Sequence, residues 1–209
     1  MTHGHLQPDA SHYAWVVYND RRRWASYWHQ IRQMLALQPK TALIVGDAEG
    51  TVGDALRRNG VAVTSVDLDL ELAPNVVGDV RALPFREDAF DAVLCAQVLE
   101  HVPFSAFEDA LRELARVARN GVLVTLPRKG RSWEIVLWLP FLPRLHVSGK
   151  LPARTAHSFD GQSHHWELGA RNYPIAEVER RINSVFHIEA KYHVPENPFH
   201  VFYVLRGRT

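Results

Sequence analysis

The strongest constraint on this chain is an alternation of short apolar runs with helical periods between residues 20 and 127. Thr41 to Val45 (TALIV), Val61 to Val66 (VAVTSV), Val76-Val77, Phe90 to Ala96 (FDAVLCA) and Gly121 to Leu126 read as strands. Residues 20 to 37 read as a helix, with Trp24, Tyr27, Trp28, Ile31 and Leu35 spaced by three and four. Thr51 to Arg58, closed by Asn59-Gly60, and Ser105 to Ala118, carrying Phe107, Leu111, Leu114 and Val117, read the same way. Strands that alternate with helices fold into a parallel sheet covered on both faces. The end differs. A helix from Tyr173 to Phe186 leads into two strands, Phe186 to Val194 and Phe199 to Leu205, joined by Pro195-Glu196-Asn197-Pro198. So short a link permits only an antiparallel pair. The expected fold class is α/β, with a mixed sheet closed by a C-terminal hairpin.

Composition narrows the function classes. With 46% hydrophobic and 22% charged residues, the chain is neither disordered nor of low complexity. Its 209 residues suit one domain. A net charge of +1 argues against a dedicated nucleic-acid binder. A single cysteine, Cys95, excludes an internal disulfide and a cysteine-only zinc cage, and is expected to be buried in its strand. Met1 to Ala10 has no apolar core of an export signal. The longest apolar run, Ile135 to Leu142, is broken by Pro140 and is far short of the roughly 18 to 20 residues of a spanning helix. A cytoplasmic location is expected.

In open parallel sheets, ligands lie beyond the carboxyl ends of the strands, where the strand order reverses. The turn after the first strand, Gly46-Asp47-Ala48-Glu49-Gly50, falls there, and its glycines let backbone approach a ligand. Asp67 closes the second strand 21 residues after Gly46, a spacing suited to a ribose ligand. A dinucleotide is disfavoured. The positions of the second and third fingerprint glycines hold Ala48 and Thr51, and the second is the one that admits a pyrophosphate.

Five segments in order, ALIVGDAEG, VTSVDLD, GDVRALPF, FDAVLCAQVLEHVP and GVLVTLP, resemble the class I S-adenosylmethionine-dependent methyltransferases over residues 41 to 127. GDVRALPF and QVLEHVP resemble in particular the small-molecule branch that includes ubiquinone-biosynthesis-type methylases. The resemblance implies a Rossmann-like, mostly parallel seven-stranded sheet with a C-terminal antiparallel hairpin, and S-adenosylmethionine as cofactor, leaving S-adenosylhomocysteine. It implies that Gly46, Ala48 and Gly50 lie under the methionine and ribose. Asp67 would hold the ribose hydroxyls and Leu68 would pack on adenine. Asp79 would accept from the adenine amino group beside Val80, and Ala96 and Gln97 would sit near the sulfonium. The chain departs from the family at Ile44, where an acid is usual, and at Ala48, where glycine is common. Asp47 or Glu49 is the substitute for the missing acid at the cofactor's ammonium.

Methyl transfer is chiefly in-line positioning, helped for oxygen or nitrogen acceptors by a general base. His101 is the candidate base, with a packed structural histidine as the plainer reading. Acceptor specificity is assigned to the stretch 128–172. Residues 128 to 159 hold Arg128, Lys129, Arg131, Arg144, Lys150 and Arg154 against Glu134 alone, a charge of +5 that leaves −4 elsewhere. Such a patch suits an anionic acceptor or is merely a solvated loop. The apolar run from Trp133 to Leu142 is read first as a cap helix over the cofactor, and otherwise as a membrane-surface or lipid-linked substrate contact. Arg154, His157, His164, His165 and Trp166 are the candidate acceptor-binding residues. No metal is expected, because the histidine spacing around Asp160-Gly161-Gln162-Ser163 fits no standard motif. His187, His193 and His200 are read as structural.

The layout expected is a single domain over 1–209. It has an N-terminal lid over 1–38, rich in Tyr13, Trp15, Tyr18, Trp24, Tyr27 and Trp28, where Arg21, Arg22 or Arg23 would meet the methionine carboxylate. A cofactor core follows over 39–127, then the acceptor insertion over 128–172 and a closing helix and hairpin over 173–209. The expected activity is methylation of a small or lipid-linked acceptor, more readily at oxygen, with no nucleic-acid partner. A nucleic-acid methyltransferase and a decayed, binding-only relative stay open as alternatives. The chain lacks the Asn/Asp-Pro-Pro-Tyr/Phe/Trp tetrapeptide of amino-methylating nucleic-acid enzymes.

Overall fold

The structure, a computed structural model, describes residues 20–141, 143, 145–159 and 164–207. Tyr13, Trp15, Tyr18, Leu142, Arg144 and residues 160–163 lie outside that set. Helix α1 (Arg21–Ala36) begins at Asp20, whose carboxylate accepts from the Arg23 N–H at 2.8 Å. The strands are β1 (Thr41–Val45), β2 (Ala62–Asp67), β3 (Val76–Val77), β4 (Phe90–Ala96) and β5 (Ala118–Pro127). Helix α2 (Thr51–Arg58) lies between β1 and β2, and α3 (Phe107–Val117) precedes β5. After β6 (Ser132–Leu137) and β7 (Leu145–Lys150) come α4 (Ile175–Val185), β8 (Phe186–Val194) and β9 (Asn197–Gly207).

Seven strands form one sheet in the order β3-β2-β1-β4-β5-β9-β8. The first five are parallel, and β9 enters antiparallel to both β5 and β8. Successive side chains of a strand face opposite ways, so each strand feeds two cores. Leu43, Val45, Val93, Cys95, Val122 and Val124 pack with α3 and α4 on one face. Ala42, Ile44, Ala92, Leu94 and Leu123 pack with Met34 of α1 and Leu56 of α2 on the other. The chain starts the sheet in its middle, runs outward to β3 and returns to β4. The crevice between β1 and β4 is therefore the reversal point.

The cap helix is not formed. Trp133 to Leu137 belongs to a two-stranded hairpin, β6 with β7, separate from the main sheet and paired from Ser132↔Lys150 to Leu137↔Leu145. All six β6 residues are exposed. Pro140 stops a helix across this run, and the β-branched Ile135 and Val136 favour an extended chain. A hydrogen bond between His193 Nε2 and the Ser148 carbonyl (3.0 Å) and the Lys150 ammonium over the Phe199 ring (3.8 Å) tie the hairpin to the sheet. No helix among the described residues is long and apolar enough to cross a membrane.

Candidate functional site

The site starts from strained backbone at the end of β1. Gly46 has φ +75°, and its N–H donates to Val66 O (2.9 Å), which fastens the turn to β2. A Cβ there would lie 2.4 Å from Val98 Cγ2, so no side chain fits. Ala48 is also left-handed, at φ +45°, and Gly50 opens α2 at φ +80°. The first turn of α2 then presses against Asp47. The Gly53 N–H donates to Asp47 Oδ1 at 3.3 Å, and a Cβ on Gly53 would meet Oδ2 at 2.2 Å. Burial pushes the Asp47 carboxyl up to about 7, against the opposing pull of that N–H and of Arg57. Burial also raises Asp67, although its carboxylate accepts from the Asp69 N–H at 3.0 Å. Two acids drawn out of water toward one crevice fit a ligand bearing hydroxyl or ammonium donors.

That crevice is a pocket enclosing about 1070 Å³ out to its open mouth. Gly46, Asp47, Ala48, Asp67 and Leu68 form one side, and Val80, Ala96, Gln97 and His101 line it elsewhere. Glu49 and Gly50 line a neighbouring cleft that shares Asp47, Ala48 and Asp67. Gln97 adopts φ +57°, with its N–H on Thr125 O and its amide on Thr125 Oγ1, both at 3.1 Å. Asp79 is the exception among the expected cofactor residues. It is not in the lining, and Arg81 engages its carboxylate through Nε at 2.9 and 3.0 Å and through its backbone N–H at 2.8 Å. Gly78 and Val80 face the pocket instead.

One wall was legible in part: Arg23 and Tyr27 belong to the segment expected over the cofactor, whereas Ser26, Gln30 and His200 were not singled out for the site. Arg23, Ser26, Tyr27 and Gln30 of α1 and His200 of β9 line the pocket. His200 Nδ1 lies 2.9 Å from Ser26 Oγ, which also accepts from Asn197 Nδ2 at 3.0 Å. Burial pushes His200 down to about 3, so it stays neutral. His200, read as structural, also lines the pocket. Its partner is 174 residues away, and no local pattern marks it.

The acceptor-side candidates scatter. Trp166 is corrected outright: it is fully buried, and its indole N–H is shared by Leu99 O and Val102 O, each at 3.1 Å. Phe104 and Phe107 pack against its ring, so it braces the core and offers no contact surface. Arg154 is exposed and outside the pocket lining. His165 stacks on Phe159 with ring centres 4.0 Å apart. His157 and His164 flank Glu167 at 3.5 and 3.4 Å, and Lys129 approaches the same carboxylate at 3.6 Å. The His164 hydrogen bond, with the His157 and Lys129 charges, holds Glu167 down to about 2. The basic patch is partly consumed internally, since Lys150 donates to the Arg128 carbonyl and burial lowers it to about 8. His101 meets His164 edge to face, with ring centres 5.0 Å apart.

A family model described as a methyltransferase domain matches residues 43–126. A ubiquinone biosynthesis O-methyltransferase of Psychrobacter arcticus is 29% identical over 57% of this chain and 53% of its own length. One of Pseudomonas paraeruginosa is 27% identical over 84% of this chain and 81% of its own. A demethylmenaquinone methyltransferase of Mycolicibacterium paratuberculosis is 33% identical over 46% and 45%. The chain spans about half the length of several of these relatives. Among solved structures, the glycopeptide N-methyltransferase MtfA complexed with S-adenosylhomocysteine superposes with a TM-score of 0.60, at 14% identity, over 91% of both chains. A Burkholderia thailandensis 1,6-didemethyltoxoflavin-N1-methyltransferase gives 0.56 at 16% identity, over 97% of this chain and 92% of its own. The span matched by the family model runs from β1 to the end of β5 and carries the strand ends that hold Asp47, Asp67 and Gln97. Residues 43–126 are therefore similar to a methyltransferase domain, within a fold shared with S-adenosylmethionine-dependent methyltransferases.

Proposed function

We propose that this chain transfers the methyl group of S-adenosylmethionine to an oxygen of a small acceptor, anionic or lipid-linked. The observation that carries the reading is the convergence of two desolvated acids, Asp47 and Asp67, on a pocket that His101 also lines. Asp67 offers its carboxylate oxygens to the ribose hydroxyls. Asp47 takes the place of the acid missing at Ile44 and receives the ammonium group. Arg23 meets the methionine carboxylate, and Leu68 covers the adenine. The left-handed Gln97 presents backbone beside the sulfonium. The sulfonium supplies an activated methyl, so the chain's task is alignment and exclusion of water. His101 takes the acceptor's proton as the new carbon–oxygen bond forms and the carbon–sulfur bond breaks, leaving a neutral thioether. His157, His164 and His165 face the acceptor. The whole chain acts as one domain, with residues 128–172 as the acceptor-site insertion.

Support for oxygen as the target comes from the names of the quinone-biosynthesis relatives. Titration calorimetry tests the reading. Heat with S-adenosylmethionine and S-adenosylhomocysteine is expected, and its absence with both overturns the enzyme. Product formation against phenols, phosphosugars and lipid-linked sugars then identifies the acceptor.

A further inference from the structure

Glu100 lies in a helical turn just beyond β4, fully buried, and neither carboxylate oxygen has a hydrogen-bond partner among the described residues. A buried carboxylate without a partner costs several kcal/mol unless something compensates it. Two imidazoles stand beside it. One ligand atom each from Glu100, His101 and His164 lies within 4.8 Å of the others. His101 follows directly in sequence, whereas His164 arrives from the insertion 64 residues on. The His165 N–H donates to the Glu100 carbonyl at 2.8 Å and fixes that approach.

We propose that Glu100, His101 and His164 bind one divalent transition-metal ion of the zinc or iron(II) type. Two nitrogens and one carboxylate oxygen suit such ions, and magnesium or calcium would want an all-oxygen set. Ligand atoms about 2.1 Å from a shared ion sit roughly 3.4 Å apart in a tetrahedron, so the trio closes by about an ångström through side-chain rotation. A supporting shell is already built. Glu167 accepts from His164 Nδ1, which turns Nε2 toward the ion, and Glu167 is itself held by His157 and Lys129. Three protein ligands leave coordination positions open. Because His101 also lines the main pocket, those positions face an acceptor, whose oxygen would bind the ion as a donor. The ion site does not depend on methyl transfer. With the ion bound, His101 is a ligand and not the base, and the ion would itself lower the pKa of the acceptor hydroxyl, whose proton then leaves to solvent; this use in orienting the acceptor rests on the methyl transfer proposed above.

The test uses tag-free, chelator-treated full chain titrated with Co²⁺ and followed by visible absorption. One equivalent should give the ligand-field bands of a nitrogen-bound ion. Zn²⁺ should bleach them and excess Mg²⁺ should not. Glu100→Gln and His164→Ala should each abolish the bands, and Glu167→Gln should weaken binding by about 10–100-fold. His164→Ala lies in an irregular segment and serves if Glu100→Gln fails to fold. His187→Ala, at an exposed position on β8, should leave the bands unchanged. No bands, or bands that survive both ligand variants or vanish with His187→Ala, overturn the proposal. Bands without any heat from S-adenosylmethionine would keep the ion site and sink the methyltransferase reading instead.

Discussion

The two sides of the pocket are built by different means. The cofactor side rests on consecutive residues: a five-residue turn, the strand end after it, and a helix start that closes on Asp47. Its geometry is set by local backbone, with Gly46, Ala48 and Gly50 all left-handed within one turn. The rest of the lining, with the core behind it, is assembled from distant pieces. Glu100 with His164, Trp166 with Leu99 and Val102, and Ser26 with His200 are contacts between segments that share no local pattern. Local construction leaves a motif behind, and distant assembly leaves only residues whose roles depend on where the rest of the chain folds.

The contrast can be broken at several points. The largest effect is expected at Trp166, which lies in the insertion by sequence and in the core by packing. Trp166→Ala should cost about 3–5 kcal/mol in denaturant unfolding. A loss below 1 kcal/mol would return the residue to the acceptor surface. On the cofactor side, Gly46→Ala combines a left-handed backbone with a collision at Val98 and should cost about 1–3 kcal/mol. Asp67→Ala should weaken S-adenosylmethionine binding by about 1–3 kcal/mol while leaving thermal stability near that of the wild type. Unchanged affinity would remove Asp67 from the ribose.

Asp47 gives a subtler test. Its carboxyl is raised to about 7, so it is neutral below and ionised above that pH. A cationic ammonium prefers the ionised form, and affinity for S-adenosylmethionine should rise as pH climbs through 7. The sign reverses for the free protein. A carboxyl raised on folding stabilises the fold at low pH, and that contribution is lost between the ordinary carboxylate range and about 7. Calorimetry and melting curves across this window should both flatten in Asp47→Asn. The smallest effect is expected in the hairpin. Phe141→Ser, at a fully exposed tip position, should shift stability by less than about 0.5 kcal/mol and leave cofactor affinity unchanged. A loss of cofactor binding would mean that the hairpin reaches over the pocket after all.

Much of the fold could be read because burial and periodicity agree. β1, β3, β4, β8 and α2 fall at the expected bounds, and in β1 and β4 this follows from apolar runs buried on both faces of the sheet. The run from Trp133 to Phe141 misled because its apolar residues are exposed, so neither period is enforced by a core. Asp79 stands apart from the pocket lining because Arg81, two residues on, engages its carboxylate. Trp166 packs in the core, and His200 reaches the pocket lining, for a related reason. Sequence marks an aromatic or a histidine as able to pack or to bind, and only the fold decides which. At Glu100 the neighbouring sequence marked His101, while the unpartnered carboxylate became visible only in three dimensions.

The position of β9 sets an order of events at the ribosome. This strand is made after both β5 and β8, yet it lies between them and carries His200 and Asn197 to α1, made long before it. Until it emerges, β5 keeps an open edge and the α1 side of the pocket lacks its counterpart. A nascent chain can therefore complete the parallel half of the sheet early, but it holds an unpaired apolar strand until β9 has been made. Deletion of β9 would reopen that edge and remove a pocket wall in the same stroke.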